Sequence, residues 1–452
     1  MAKTKLTSLT EGNIPRLIFS FSWPIFISMI FTELYNITNS LIVGNYVSLK
    51  ALSAVSATTW LCNAFNYAFY GLGMGAGILI AKYYGAKDSH NLKKTLDTAI
   101  VFGIVGGIII TVLSELFLPF LMKICNITGD IYKDAYEYLR VYFLGNTAVL
   151  TYQMCFFILR SFGDTKHQLY YSVISSIINI ALGVLLVRVF HLNVIGTAIA
   201  TIVSQFTMDA LALRLMLTYE GVDFDFRNIE FSFQTILEIC RLGIPAGFQN
   251  MLIAIGSILV QSRVNEFPYP VIAGIGVGEK VANWAQLFSV SVSNATMSLV
   301  AQNLGAKKYD RVRESIRESA RIATIFTVLS IAIIWILAPM LVSRFSDNQE
   351  AVYYGTNMVR FALFGIFFIN YSHIYNGACR GAGNVRYPMY IAIFGQCICK
   401  ILFVTIGLKL FYDVHILYCA TAFGHSMAGI LATLYFYSSA WVLEHGLREV
   451  KR

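Results

Sequence analysis

Four polar residues lie close together in the first apolar segment of the chain, which begins near residue 14. Glu33, Tyr35, Asn36 and Asn39 stand there among Phe, Leu and Ile neighbours. On an α-helix each residue is rotated by about 100°, so Asn36 lies about 60° around the axis from Glu33, and Asn39 lies about 60° further. These side chains would therefore form one broad polar face. Such a face offers oxygen ligands to a proton, to Na⁺ or to a charged organic group.

An ionisable residue near the middle of a membrane-spanning helix is costly, which makes Glu33 a candidate functional residue. Insertion scales place the cost at about 2.5–3.5 kcal/mol for a charged side chain at the centre of a span. The alternative interpretation is an interhelical hydrogen bond that only fixes packing. Both interpretations require that this segment spans a membrane, which the composition of the whole chain tests.

The chain has the composition of a membrane protein. Of its 452 residues, 57% are hydrophobic and 13% are charged, whereas soluble domains carry about 25% charged residues. The formal charge of +9 would suit nucleic acid, but the basic residues lie in loops between apolar segments, so no nucleic-acid partner is expected. The eight cysteines are scattered through apolar segments without a CxxC pair. This pattern predicts buried apolar side chains, with no metal site and no disulfide framework.

Twelve segments are long and apolar enough to cross the hydrocarbon layer, for which about 20 residues are needed. The predicted spans are 14–44, 51–81, 96–122, 135–158, 168–190, 194–219, 235–263, 270–301, 319–343, 353–376, 388–411 and 414–441. They predict an all-α polytopic membrane protein. We expect one six-helix lobe at 1–219, a polar cytoplasmic linker at 220–234 and a second six-helix lobe at 235–452.

The distribution of Lys and Arg predicts the orientation. With the N-terminus placed in the cytoplasm, 23 of the 34 Lys and Arg residues fall in inner segments and seven in outer segments, and four lie near or within spans. Positive residues accumulate on the cytoplasmic side of membrane proteins. The sequence therefore predicts that both termini are cytoplasmic.

The two halves of the chain repeat each other at a constant interval, the repeat spacing. Arg160 and Arg380, each in a similar polar turn, define this interval as 380 − 160 = 220 residues. Several pairs of glycines keep the same interval. Pro24 and Pro245 keep it to within a single position. Because each half has an even number of spans, both halves enter the membrane from the same side and form parallel repeats. Two such lobes would enclose a substrate cavity between them.

Further polar side chains inside the predicted spans are candidates to line this cavity. They are Tyr35, Asn179, Thr201, Gln205, Gln249 and Asn250. Any one of them is more often a packing residue than a ligand. Structural roles are predicted for the residues that repeat between the halves, namely Pro24, Pro245, Arg160 and Arg380.

Other charged residues lie in or near the spans. Glu115 and Asp209 lie near predicted helix ends, where we expect water to solvate them. Glu279 adjoins Lys280, so a local ion pair is expected there. Lys400 attracts anions, neutralises a carboxylate or lies against backbone carbonyls, and the sequence leaves all three roles open.

A run of alternating glycines, Gly71–Gly77, superficially suggests a phosphate-binding loop. It lies inside an apolar span, with no preceding strand and no GK[ST]. Small residues stand at most of the corresponding positions of the second half. The run therefore predicts close packing between helices.

Several motifs distributed over the whole chain share one family likeness. They are the segment Trp23–Gly44, AKYYGAKD after the second span, RSFGDTK after the fourth, QNLGAKK after the eighth and RGAGNVRYP after the tenth. With these motifs the sequence resembles the multidrug and toxic compound extrusion (MATE) family, and its DinF-like prokaryotic branch in particular. The resemblance implies a V-shaped pair of six-helix lobes in the prokaryotic cytoplasmic membrane, which is expected to act as a monomer. It also implies alternating access and export of organic compounds driven by inward flow of H⁺ or Na⁺, without a cofactor.

The acids that the resemblance leads us to expect are incomplete. DinF-like relatives commonly have an Asp where this chain has Asn39, and some have another where it has Gly183. Asn179 and Thr201 match the family pattern. The acids of the NorM-like branch, in helices seven and ten, have no counterpart. We therefore expect Glu33, as the only carboxylate left near the middle of the membrane, to couple ion entry to export, together with Asn36 and Asn39.

Three alternatives to an exporter of amphipathic organic cations agree less well with the sequence. A flippase for a lipid-linked saccharide, of related fold, would need a strongly cationic cavity, and few basic residues lie in the spans. A major facilitator transporter would carry G-x-x-x-D-R-x-G-R-R where this chain reads YYGAKDSHNLKK. A membrane enzyme is disfavoured because no HExxH or nucleotide-binding loop occurs.

Overall fold

The computed structural model describes residues 8–125, 127–219 and 228–438, which form helices without β-strands. We number the long helices by the predicted spans. They are α1 (Ile14–Tyr46), α2 (Leu49–Ala86), α3 (Ser89–Leu116), α4 (Tyr132–Leu144 and Asn146–Ser161), α5 (Thr165–Val189), α6 (Asn193–Met216), α7 (Phe233–Val264), α8 (Tyr269–Trp284 and Leu287–Gly305), α9 (Tyr309–Ser343), α10 (Gln349–Gly381), α11 (Arg386–Leu410) and α12 (Val414–Tyr437). Each of the twelve predicted spans overlaps one of these helices.

Most of these helices can cross a membrane. Within the described ranges, ten are long and apolar enough, and α4 adds an eleventh as two segments bent by 48°. The remaining span, α8, is divided into segments of 16 and 19 residues. Its second segment carries many Ser, Thr, Asn and Gln side chains, and most of them are buried. Because neighbouring helices cover these groups, this segment does not need an apolar surface.

The contacts divide the chain into two compact units. The first contains Pro24–Gly247, and the second contains Thr10–Trp23 together with the described residues from Phe248 onward. The first turns of α1 therefore belong with α8–α12, and those of α7 belong with α2–α6. Within the predicted linker 220–234, residues 220–227 lie outside the described residues. The boundaries of the two predicted lobes stay a prediction.

The described end of the linker is held by α3 in the first unit. Asp97, which is fully buried, accepts a hydrogen bond from Glu230 N at 3.0 Å and pairs with Lys93 at 2.8 Å. Lys93 Nζ also donates to Asn228 O at 2.7 Å. One buried carboxylate thus fixes the chain just before α7 begins.

Pro24 and Pro245 lie inside α1 and α7, close to the points where these helices pass from one unit to the other. Proline has no N–H, so the carbonyl groups of Ser20 and Arg241 lose their usual helical partner. The structural role of the two prolines stays a prediction.

The glycine run of α2 packs against two neighbouring helices, as predicted. A Cβ added at Gly71 would stand 2.6 Å from Gly247 N, and one added at Gly75 would stand 2.9 Å from Gly243 N. On the other side, a Cβ at Gly73 would stand 2.7 Å from Gln153 O. Real Cβ atoms do not approach so closely, so these positions exclude larger residues.

The contact between α2 and α4 recurs between α8 and α10 at the repeat spacing. The glycine of the contact lies on the first helix of the pair in one unit and on the second helix in the other. In the first unit Gly73 packs against Phe157. At the equivalent positions of the second unit, Ser293 packs against Gly377, where an added Cβ would stand 2.6 Å from Ser293 O. The next contact along these helices shows the same exchange. The glycine is Gly77 of α2, which faces Ser161, in the first unit, and Gly381 of α10, which faces Met297, in the second. The repeat read from the sequence is therefore present in the packing.

Candidate functional site

The polar face predicted on α1 is partly exposed. Glu33 and Asn36 are exposed, and Tyr35 and Asn39 are half-buried. Glu33 interacts electrostatically with Tyr35 and with Tyr67 of α2. A carboxylate in hydrocarbon would cost about 2.5–3.5 kcal/mol on insertion scales, so an exposed Glu33 requires access to water or to a cation. The sequence analysis missed Tyr67, because one more tyrosine in an aromatic-rich span carries no distinguishing pattern.

Two of the predicted cavity residues meet between α5 and α6. Asn179 Nδ2 donates to Thr201 Oγ1 at 3.2 Å, and Thr201 Oγ1 donates to Thr197 O at 2.9 Å. Asn179 is buried, and its Oδ1 atom has no hydrogen-bond partner among the described residues. An amide oxygen without a donor is an available ligand for a cation or a protonated group.

Asn39 and Gly183, which stand at the two positions where the family resemblance suggested acids, face each other. Asn39 Oδ1 lies 3.6 Å from the point that a Cβ of Gly183 would occupy. In the part of the chain that the structure describes, this oxygen also has no hydrogen-bond partner. Asn179 is one helical turn before Gly183, so α1, α5 and α6 bring together uncharged oxygen atoms where carboxylates were expected.

The next turns of α6 carry two more polar side chains. Gln205 is half-buried, and its Oε1 atom has no partner among the described residues. Asp209 is 5% exposed, and neither of its carboxylate oxygens has a hydrogen-bond partner among the described residues. The prediction that water solvates Asp209 was wrong, because Tyr152 and Cys155 of α4 lie against this part of α6. Nearness to the helix end does not decide exposure here.

The second unit contains an ion pair inside its helices. Lys400 Nζ of α11 lies 3.4 Å from Glu279 Oε1 of α8, and Thr421 Oγ1 of α12 donates to the same oxygen at 3.3 Å. The expected pair between Glu279 and Lys280 was wrong, since Lys280 is exposed. Of the three roles left open for Lys400, its distance to Glu279 supports neutralisation of a carboxylate.

Two histidines extend this polar region, and the sequence analysis missed both. His425 of α12 interacts electrostatically with Lys400 and with His373 of α10. His373 Nε2 lies 3.2 Å from Gln286 Oε1. Single histidines in apolar spans carry no spacing signal. The internal repeat did offer a signal for His425, because it lies at the position equivalent to Gln205 in the second repeat.

The remaining predicted residues are held by packing. Gln249 is buried and accepts a hydrogen bond from Arg380 Nη2 at 2.8 Å, whereas Asn250 is half-buried. Arg160 is also buried, donates to Gln168 Oε1 at 2.9 Å and lies 4.9 Å from the centre of the Phe157 ring. The structural roles of the two arginines stay a prediction. These contacts place Gln249 beside Arg380.

The long helices, with acids and amides inside them, define a multi-pass membrane transporter. The MatE family model matches residues 24–185 and again residues 245–406, so the family unit recurs at the repeat found in the sequence. The chain belongs to this family of transporters, as its resemblance to MATE proteins indicated.

Relatives and solved structures agree with this assignment. The chain is 27% identical to the probable multidrug resistance protein YoeA of Bacillus subtilis over 85% of each chain. It is 26% identical to the multidrug export protein MepA of Staphylococcus haemolyticus over 89% of this chain and 90% of that protein. The fold matches an outward-facing multidrug resistance MATE family transporter of the MOP superfamily with a TM-score of 0.91, at 19% identity, over 98% of this chain and 100% of that one.

Proposed function

We propose that this transporter is a secondary active antiporter that exports amphipathic organic cations in exchange for H⁺ or Na⁺ by alternating access. The proposal places it in a prokaryotic cytoplasmic membrane, as a monomer with both termini in the cytoplasm. It rests on relatives named for multidrug resistance and export and on the residues inside the helices.

The observation that carries the proposal is Glu33 with its aromatic neighbours. An exposed carboxylate beside Tyr35 and Tyr67 suits a cationic organic compound, because charge pairing and cation–π contacts replace the hydration that the compound loses. Glu33 is also the proposed coupling residue, since it can exchange the organic cation for a proton or Na⁺. Asn36 and Asn39 lie on the same helix and contribute amide oxygens.

The proposal predicts export of a lipophilic cationic dye by liposomes that contain the purified protein. Wild-type protein should move the dye only under an imposed gradient, and collapsing the H⁺ and Na⁺ gradients in separate samples identifies the coupling ion. Transport restricted to anionic compounds or sugar lipids would contradict the proposal and favour a flippase.

A further inference from the structure

We infer that Asp209 is a second carboxylate of the transport cycle, which binds the coupling cation, a proton or Na⁺, at one end of a row of oxygen atoms along α6. This inference rests on the proposed antiport and adds a residue to it. Glu33 is exposed, whereas Asp209 is 5% exposed, so the two acids would serve different steps.

The first observation is the chemical state of Asp209. Neither of its carboxylate oxygens has a hydrogen-bond partner among the described residues. A buried carboxylate without a partner is strongly unfavourable, and in a transmembrane helix it marks an ion pathway by default. A bound proton or Na⁺ supplies the positive charge that the surrounding side chains do not.

Among the described residues, no basic side chain is paired with Asp209. Tyr152 and Cys155 of α4 interact with it electrostatically, and neither can carry a positive charge. Arg160 acts on Tyr152, and Tyr70 of α2 hydrogen-bonds to Arg160. On α5, Tyr171 lies in the same apolar cluster as Met208 and Ala212 of α6 and interacts with Arg214, and the buried serines and asparagine of α5 do not titrate. A cation from solution would supply the positive charge that these groups do not.

The second observation is the series of oxygen atoms that leads to Asp209. Thr201, Gln205 and Asp209 follow one another at four-residue intervals, which separates them by about 6 Å each along α6. Asn179 Oδ1 beside Thr201 and Gln205 Oε1 likewise lack hydrogen-bond partners in the described chain. Acceptors of this kind can bind a small cation at successive turns of the helix.

The depth of this row can be compared with that of Glu33. Val43 of α1 and Val194 of α6 pack in one apolar cluster, so these ends of the two helices lie on the same side. Counted from Val194, Thr201 lies about 10 Å along α6, Gln205 about 16 Å and Asp209 about 22 Å, whereas Glu33 lies about 15 Å from Val43 along α1. Asp209 is therefore about 7 Å further from this end than Glu33, as expected for two acids that serve different steps.

The second repeat indicates that the fold does not need an acid at this position. The equivalent residue at the repeat spacing is Gly429, where an added Cβ would meet the carbonyl oxygen of Phe368. An unpartnered carboxyl group does not stabilise a helix pair. The presence of Asp209 is therefore better explained by ion binding than by packing.

The test uses the full-length protein and the variant Asp209→Asn, with Asp209→Glu and Glu115→Gln as companions. Glu115→Gln removes another helix acid of the same unit and serves as the matched control. Infrared spectroscopy of purified protein, titrated with acid and separately with Na⁺, reports the carboxyl group directly and needs no exported compound. Wild-type protein should show carboxyl signals that respond to one of the two ions, and Asp209→Asn should lack one of them, which Glu115→Gln keeps.

A second measurement links the site to transport. In wild-type protein, the coupling ion should weaken binding of a lipophilic cationic dye by about tenfold, a typical coupling between two sites. Asp209→Asn should bind the dye with a weaker response to pH or Na⁺ than wild type, because only Glu33 still responds, while Asp209→Glu and Glu115→Gln should keep the response.

The inference is overturned if folded Asp209→Asn protein, with unchanged melting temperature and elution volume, keeps the wild-type ion response. If Asp209→Asn does not fold, Asp209→Glu decides, because moving the carboxyl group by one methylene must shift the ion concentration at half response. A wild-type protein that neither binds nor exports the dye would instead contradict the proposed function, and the infrared titration would still test Asp209.

Discussion

Thr201 of α6 and Thr421 of α12 occupy equivalent positions in the two repeats, yet their hydroxyl groups serve different partners. Thr201 accepts a hydrogen bond from the Asn179 amide at 3.2 Å, whereas Thr421 donates one to the Glu279 carboxylate at 3.3 Å. The same place in the two repeats is therefore uncharged in the first unit and ionic in the second. The next prediction follows from this difference in charge.

The ion pair between Lys400 and Glu279 predicts a stability effect that depends on both partners. Lys400→Met should leave the carboxylate without its counter-charge and lower the free energy of unfolding by about 2 kcal/mol, less than for a fully buried pair, because the Glu279 side chain is 35% exposed. Lys400→Met combined with Glu279→Gln should recover most of this loss. Thermal unfolding in detergent measures both, and a single variant as stable as wild type would show that the pair contributes nothing.

Glu33→Gln should abolish gradient-driven export while leaving expression and folding near normal. The substitution keeps the shape and hydrogen bonding of the side chain but removes its charge and its titration. Dye export by reconstituted protein under a fixed ion gradient is the measurement, and Glu115→Gln is again the control. Export at the wild-type rate by Glu33→Gln would reduce Glu33 to a packing residue.

The orientation predicted from the basic residues can be tested by cysteine labelling. Lys87, Lys166, Lys307 and Lys50 are all at least partly exposed, so single cysteines at these positions can react wherever the reagent reaches them. In a variant without the native cysteines, the first three should resist an impermeant thiol reagent added outside intact cells, and the fourth should react. Equal labelling at all four would contradict the assignment of cytoplasmic termini.

The glycine contacts predict two opposite outcomes for the same substitution. Gly71→Ala should destabilise the protein by about 1–3 kcal/mol, the usual cost of overpacking, because the new Cβ would stand 2.6 Å from Gly247 N. Gly276→Ala is the control, since no atom of the described residues lies within 4 Å of its added Cβ. Melting temperatures of the two purified variants provide the comparison. A Gly71→Ala protein as stable as the Gly276→Ala protein would disprove the close contact.

The helices could be predicted well because a membrane span must be long, apolar and internally hydrogen-bonded. Which residues of different helices contact each other could not be predicted. Glu279 and Lys400 are 121 residues apart in the chain, and hydropathy does not show which helices meet. The adjacent Lys280 was therefore the natural but wrong partner to expect.

The candidate site was predicted in part, for a related reason. Asn179 and Thr201 were recognised as polar residues inside spans, and they do form a hydrogen bond. The interpretation of Glu33 as the only acid near the middle of the membrane was incomplete, because Asp209 is buried by α4 and Glu279 pairs with α11. Burial depends on neighbouring helices, which a single sequence does not reveal.

The exchange of small residues between the two helix pairs has a consequence for building chimeras of the two halves. Placing α2 opposite α10 would set Gly73 against Gly377 and leave a gap, and placing α8 opposite α4 would set Ser293 against Phe157 with no glycine to make room. Single helices are therefore not interchangeable between the halves, although the halves share one fold. The smallest segment that could be transplanted intact is the pair, α2 with α4 or α8 with α10.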